Sequence, residues 1–131
     1  MTGRQEAYVT EAMTAKAMGS GDLLVFATPA LVALMEKAAC AALSDALEEG
    51  VTTVGTRMEV SHEAATPVGM RVFAEAKLLS QEGRAYEFEI TAYDEQGLIG
   101  KAFHQRVAVK AARFQEKADA KRGSRPLKEG I

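Results

Sequence analysis

The chain predicts an α+β fold in which one long helix near the start packs on a following antiparallel sheet. Three observations carry this. Thr28-Pro29 opens an apolar, alanine-rich run that continues to Gly50, and a hydroxyl followed by proline is a helix-start signal, as glycine is a stop. Beyond Gly50 the apolar residues recur every second position instead of every third or fourth, the period of strands. Short turn sequences then divide the remainder: Thr66-Pro67-Val68-Gly69, Gln81-Glu82-Gly83-Arg84 and Asp94-Glu95-Gln96-Gly97. Strands joined by such short turns pair as an antiparallel meander.

In order along the chain, residues 5–18 are expected to form a first strand, although their periodicity is weak, and Gly19, Gly21 and Asp22 a loop. Thr28 takes the N-cap of the helix, which runs to about Glu48. Its alanines, Ala30, Ala33, Ala38, Ala39, Ala41, Ala42 and Ala46, allow a sheet to approach closely. In the next strand Val54, Thr56, Met58 and Val60 point inward and His62 continues their parity. Met70, Val72, Ala74, Ala76 and Leu78 alternate in the third strand, Tyr86, Phe88, Ile90 and Ala92 in the fourth, and residues 98–110 make the last. The residues from Ala111 begin as a possible helix and end polar. A single domain over residues 1–115 with a polar, basic, flexible tail at 116–131 follows from this reading.

Composition restricts function. The chain is 47% apolar and 26% charged, enough apolar surface for a packed core. Its net charge of −2 argues against nucleic acid as a partner. The charge is uneven: residues 111–131 hold six Lys or Arg and three Asp or Glu, a balance of +3, and residues 1–110 hold ten and fifteen, a balance of −5. Cys40 is the one cysteine, so it forms no intrachain disulfide and is read as a small buried apolar residue. MTGRQEAYVTEAM has no apolar core of a secretory signal, and no apolar run is long enough to span a membrane, so a cytoplasmic location is expected. No metal-ligand spacing or phosphate-binding loop is present.

One acid breaks the helix pattern. On a wheel with Leu31 at zero, Met35, Ala39, Val32 and Leu43 fall near 40, 80, 100 and 120°, and Glu36 near 140°, inside the apolar arc. Lys37 lies on the other side. A carboxylate buried without partners is expensive, so Glu36 must be paired, hydrogen-bonded or beside a wet pocket. The plain alternative is an acid at the edge of the stripe that reaches solvent. His62 has core parity, and an imidazole there can be a structural residue. An acid and a histidine facing one helix–sheet interface can also activate water or a hydroxyl. Thr28 adds a hydroxyl at a helix N-terminus, which N-capping alone explains. His104 and Arg106 share a strand face with Gly100, Ala102 and Ala108, small neighbours that leave room.

Three segments, VFATPALVALMEKAACAAL, VGTRMEVSHEAATPVGMRV and GKAFHQRVAVKAARF, together resemble the fluoroacetyl-CoA thioesterase family, in the family's order and over about half the chain. The resemblance implies the hotdog fold, an antiparallel sheet wrapped around one central helix. It implies catalytic roles for Thr28, Glu36 and His62, and substrate contacts from Gly55 and Arg106. It also implies a homodimer, or a tetramer of such dimers, with acyl sites at the interface. The expected partner is an acyl-CoA, with no nucleic acid and no membrane. No metal or redox cofactor is expected, because a thioester is already activated and coenzyme A enters as part of the substrate. Family members carry a longer segment before the helix, whose phenylalanines close over the acyl group. Here that region is AMGSGDLLVF, residues 17–26, which implies an absent or rebuilt lid and a short or medium acyl-CoA as substrate. The competing reading is a hotdog module that binds acyl-CoA without turnover; it has no need for Glu36 and His62 together. A hydratase would place Asp and His close together on the helix, a motif this chain lacks.

Overall fold

The computed structural model describes residues 1–123; of the tail expected to be flexible, 116–131, residues 116–123 are helical and 124–131 lie outside the described residues. The elements are β1 (Thr2–Tyr8), a 3-10 turn (Glu11–Met13), α1 (Ala15–Met18), α2 (Thr28–Ala42), β2 (Val51–His62), β3 (Arg71–Glu82), β4 (Ala85–Asp94), β5 (Gly97–Lys110) and α3 (Ala111–Gly123). All strands join one antiparallel sheet in the order β1-β3-β4-β5-β2. The meander therefore covers β3, β4 and β5 alone. β2 crosses to the far side of β5 and leaves one of its own edges without a strand.

The sheet curves over α2. Leu31, Met35, Ala38, Ala39 and Leu43 are fully buried against Val72, Ala74, Ala76, Phe88 and Ile90. The expected alternation of β3 and β4 is thus the core face. Alanine on the helix is what permits the close approach. The tightest place is Gly3 on β1, where an added Cβ would lie 2.3 Å from the Ala38 carbonyl oxygen and from the Ala42 nitrogen. Both are backbone atoms and cannot swing away. Gly3→Ala is expected to cost about 2 kcal/mol by forcing β1 off the helix, which a thermal or denaturant melt would read; an unchanged midpoint would mean that β1 does not rest on α2.

Several local expectations change. The first strand is Thr2–Tyr8 rather than 5–18. The Thr14 hydroxyl, fully buried, accepts the Ala17 N–H and starts α1, and Gly19 at φ 77° ends it. The N-cap of α2 is Ala27, and Thr28 is the first helical residue, with no side-chain cap. The helix stops at Ala42 instead of near Glu48: the Leu43 N–H turns back to the Cys40 and Ala41 carbonyls, and Ser44 and Asp45 follow, residues that compete with helical hydrogen bonding. Cys40 is exposed, not buried, because the buried arc is centred on Leu31, Met35 and Ala42 and leaves position 40 on the far side. In β2 the register with β5 shifts between Gly55 and Arg57. One extra residue, Thr56, reverses the parity expected upstream of it. Thr53 is buried and Thr56 exposed, the opposite of the alternation read from the sequence, whereas Met58, Val60 and His62 keep the core side. The expected domain boundary at residue 115 falls within α3, which carries no buried residue.

Candidate active site

Thr28 and His62 meet. Thr28 stands in the first turn of α2 and His62 at the end of β2, with Thr28 Oγ1 2.8 Å from His62 Nδ1. Because Ala27 holds the cap, the Thr28 hydroxyl is released from capping and serves the imidazole. His62 Nε2 is buried and has no hydrogen-bonding partner among the described residues. Such an orphan calls for an explanation, and a water or a ligand group in the adjoining cavity would supply the partner. The cavity is there, about 260 Å³, lined in part by Phe26, Thr28, His62 and Ala64. The Phe26 ring meets the imidazole edge-on at 6.5 Å. Burial, the larger cause, holds the His62 pKa below 6.5, with the Ala64 backbone acting in the other direction without a hydrogen bond to the ring, so the ring is neutral near pH 7.

Glu36 belongs to a second cluster. Its carboxylate accepts from Arg106 Nη1 at 3.3 Å, and its side chain is 41% exposed against 8% for Arg106. The acid is therefore at the edge of the apolar arc with one oxygen on a buried guanidinium. Arg106 is fixed from behind: its Nε donates to Thr53 Oγ1 at 2.9 Å and its Nη2 to the Thr53 carbonyl at 3.0 Å. His104, buried, has its Nδ1 2.8 Å from the Arg57 carbonyl and its Nε2 3.1 Å from Arg106 Nη1. A carbonyl only accepts, so Nδ1 carries the proton and Nε2 receives the Arg106 N–H. Desolvation, first, keeps the His104 pKa low, with the Arg106 charge acting in the same direction. Both ring nitrogens are occupied, which makes His104 a brace for Arg106. Gly55 lies over this cluster: an added Cβ would come within 2.7 Å of Glu36 Oε2 and 3.3 Å of Arg106 Nη1. A larger residue there would push the Glu36 carboxylate, the end of a flexible side chain, off its place beside Arg106.

The five residues singled out in the sequence thus fall into two groups, Thr28–His62 and Glu36–Gly55–Arg106. Along α2 the two groups lie two turns apart, about 12 Å at 1.5 Å per residue. Thr53 was not singled out; the signal that reveals it is Gly55, since a glycine inside a strand marks a bulge and hence a parity change. Among the described residues no group of three or more His, Cys, Asp or Glu is placed to hold a metal, and no helix is long and apolar enough to cross a membrane.

A helix wrapped by an antiparallel sheet is the architecture of the hotdog-fold thioesterases, and similarity to known members places the protein in that class. Its residues 9–112 match the family of fluoroacetyl-CoA-specific thioesterases, and the chain belongs to that family. It is 39% identical over 97 residues to the fluoroacetyl-CoA thioesterase of Streptantibioticus cattleyicolor, spanning 74% of this chain and 70% of that one. The crystal structure of the fluoroacetyl-CoA thioesterase FlK superposes with a TM-score of 0.86 at 31% identity, over 96% of each chain. A Thermus thermophilus protein described as a thioesterase superfamily member gives the same TM-score at 30% identity, over 94% of this chain and 91% of that one.

Proposed function

We propose that the protein hydrolyses the thioester of a short or medium acyl-CoA, releasing a carboxylic acid and coenzyme A, in the cytoplasm. The observation that carries this reading is the orphaned Nε2 of a neutral His62 at a cavity, with the Thr28 hydroxyl on its other nitrogen. The thioester carbonyl lies at the start of α2, where Pro29 brings no N–H and the Thr28 and Ala30 amides are the first-turn donors for the developing oxyanion. Glu36, positioned by Arg106, attacks directly or takes the proton from water. His62 relays to the departing thiolate the proton released by water, which either attacks the carbonyl or, after direct attack, cleaves the anhydride formed on Glu36 and so frees the acid and restores the carboxylate. The thioester needs no metal or redox group for this chemistry.

Two half-sites 12 Å apart cannot act on one carbonyl, and the unpartnered edge of β2 suggests the remedy, a homodimer. Two β2 edges paired antiparallel about Glu59 would, across the bulge at Thr56, set Gly55 of one chain opposite His62 of the other. Each site would then combine Thr28 and His62 of one copy with Glu36, Gly55 and Arg106 of the second. The test is thiol release from a panel of acyl-CoAs. Glu36→Gln and His62→Ala are each expected to be inactive alone, and the two mixed to regain about a quarter of wild-type turnover, because half the dimers would carry one intact site. A mixture that stays inactive while exchanging subunits would show that each chain builds its own site.

His62 also gives the pH dependence a sign. Its folded pKa lies below the unfolded value of 6.5, as does that of His104. The unfolded chain therefore binds more protons, so stability falls as pH drops below 6.5 and is unaffected by these groups above it. The acid limb of kcat/KM is expected to have its midpoint below 6.5; a midpoint above that value would exclude a desolvated His62 as the titrating group.

A further inference from the structure

The basic C-terminal segment takes no part in the site described above, yet it builds one wall of a large concavity. This groove, about 750 Å³, lies between α3 and the end of the sheet where β5 finishes and β2 begins. Its floor is apolar, including Leu47, Val107, Val109 and Phe114, a residue 45% exposed on a helix that buries nothing. Its rim carries Arg84, Lys110, Arg113 and Lys117, all exposed, with Glu48 the one acid on the lining among the described residues. None of the four cations is in a salt bridge among those residues. Four unpaired cations in one groove of an otherwise acidic chain are an arrangement that an anion relieves. Arg113 and Lys117 are four positions apart on α3, where like charges repel.

We propose that this groove holds the nucleotide end of the coenzyme A thioester, with Arg84, Lys110, Arg113 and Lys117 on its phosphates and Phe114 beside its adenine. The inference rests on the thioesterase reading for the identity of the ligand. Three features commit the groove to this occupant. The apolar floor with an exposed aromatic ring suits a purine face. The cations suit a 3′-phosphate and a diphosphate. The position suits the reach along the inner face of the sheet: Ala108, on the same face as Arg106, lines the groove two residues, about 7 Å, beyond Arg106 on β5, while Val54 and Thr56 line it from the outer face. A nucleotide anchored here leaves the flexible pantetheine arm to carry the thioester to the Glu36–Arg106 cluster.

The probe is adenosine 3′,5′-bisphosphate, titrated calorimetrically into the full chain without turnover, beside kinetics on matched acyl-CoA and acyl-pantetheine substrates. In Arg113→Glu/Lys117→Glu the bisphosphate affinity is expected to fall roughly tenfold or more, and the preference for acyl-CoA over acyl-pantetheine in kcat/KM to fall by a similar factor. Lys16→Glu/Lys77→Glu, an equal change of net charge on exposed residues away from the groove, is expected to retain both. Arg113→Gln/Lys117→Gln repeats the test without introduced acids, should the charge reversal unfold α3. Equal loss in both charge-reversed pairs, no bisphosphate binding by the wild type, or a change only in oligomeric mass (a groove that seats a second copy) would each overturn the proposal. Bisphosphate binding by a chain that releases no thiol would overturn the thioesterase reading and leave the nucleotide site standing; thiol release without charge-sensitive binding would do the reverse.

Discussion

Glu36→Gln is expected to lower kcat/KM for acyl-CoA hydrolysis by about a thousandfold, within the range that a positioned general base contributes. The amide keeps the shape of the side chain and one oxygen to accept from Arg106 Nη1, so the site geometry persists. What disappears is the lone pair that attacks the carbonyl or takes the proton from water. Stability should change little. The Glu36 side chain is 41% exposed, and an ion pair open to water on one side contributes less than about 1 kcal/mol. Steady-state thiol release and a thermal melt, run on the same preparation, separate the two quantities. Activity within tenfold of wild type, in a folded protein, would remove Glu36 from the chemistry and return it to the plain role of an acid at the margin of an apolar stripe.

Arg106→Met should have the opposite profile in its first effect, a large loss of stability. Arg106 is 8% exposed and satisfies the Thr53 hydroxyl and carbonyl, His104 Nε2 and the Glu36 carboxylate at once. Methionine fills similar volume and donates nothing. Buried acceptors on Thr53 and His104 lose their partner, each at about 1–3 kcal/mol, and the half-exposed Glu36 recovers part of its share from water. A net loss of about 3 kcal/mol follows, less than for a fully buried broken pair. For a chain of this length that lowers the melting midpoint by roughly 10 °C. A drop of only one or two degrees would mean that the Thr53–Arg106–His104 bonds are not formed in solution. Activity should fall as well, since Glu36 loses the group that aims it.

Much of this site was legible in the residue pattern. Thr28-Pro29 located the helix start to within one residue, because proline and hydroxyl signals act on their immediate neighbours. Glu36 stood out on the wheel because helical periodicity depends on a few turns of chain. The alternations through Val72 and Ala76 and through Phe88 and Ile90 identified the core faces of β3 and β4 for the same reason. The failures occurred where a distant partner decides. Parity in β2 was read straight through Gly55, but a bulge at Thr56 turns Thr53 inward and Thr56 out, and a bulge is defined by the strand opposite. Thr28 was assigned to the cap, a sufficient local role, until His62 from 34 residues away claimed the hydroxyl. Cys40 looked like core in an alanine-rich run, and lies outside because the sheet covers only one arc of α2.

By itself, then, the sequence determined the kinds of element, their order, and which side chains are chemically out of place in them. Those properties depend on residue type and on spacings of two to four positions. The tertiary structure alone decided which of these side chains meet. β2 lies beside β5 instead of β3, which puts Gly55 opposite Arg106 and His62 opposite Gly100. Strand order and register are set by long-range pairing over a shared core, where a shift of one residue exchanges the two faces of a strand. That pairing splits the five candidate residues into two groups on one chain.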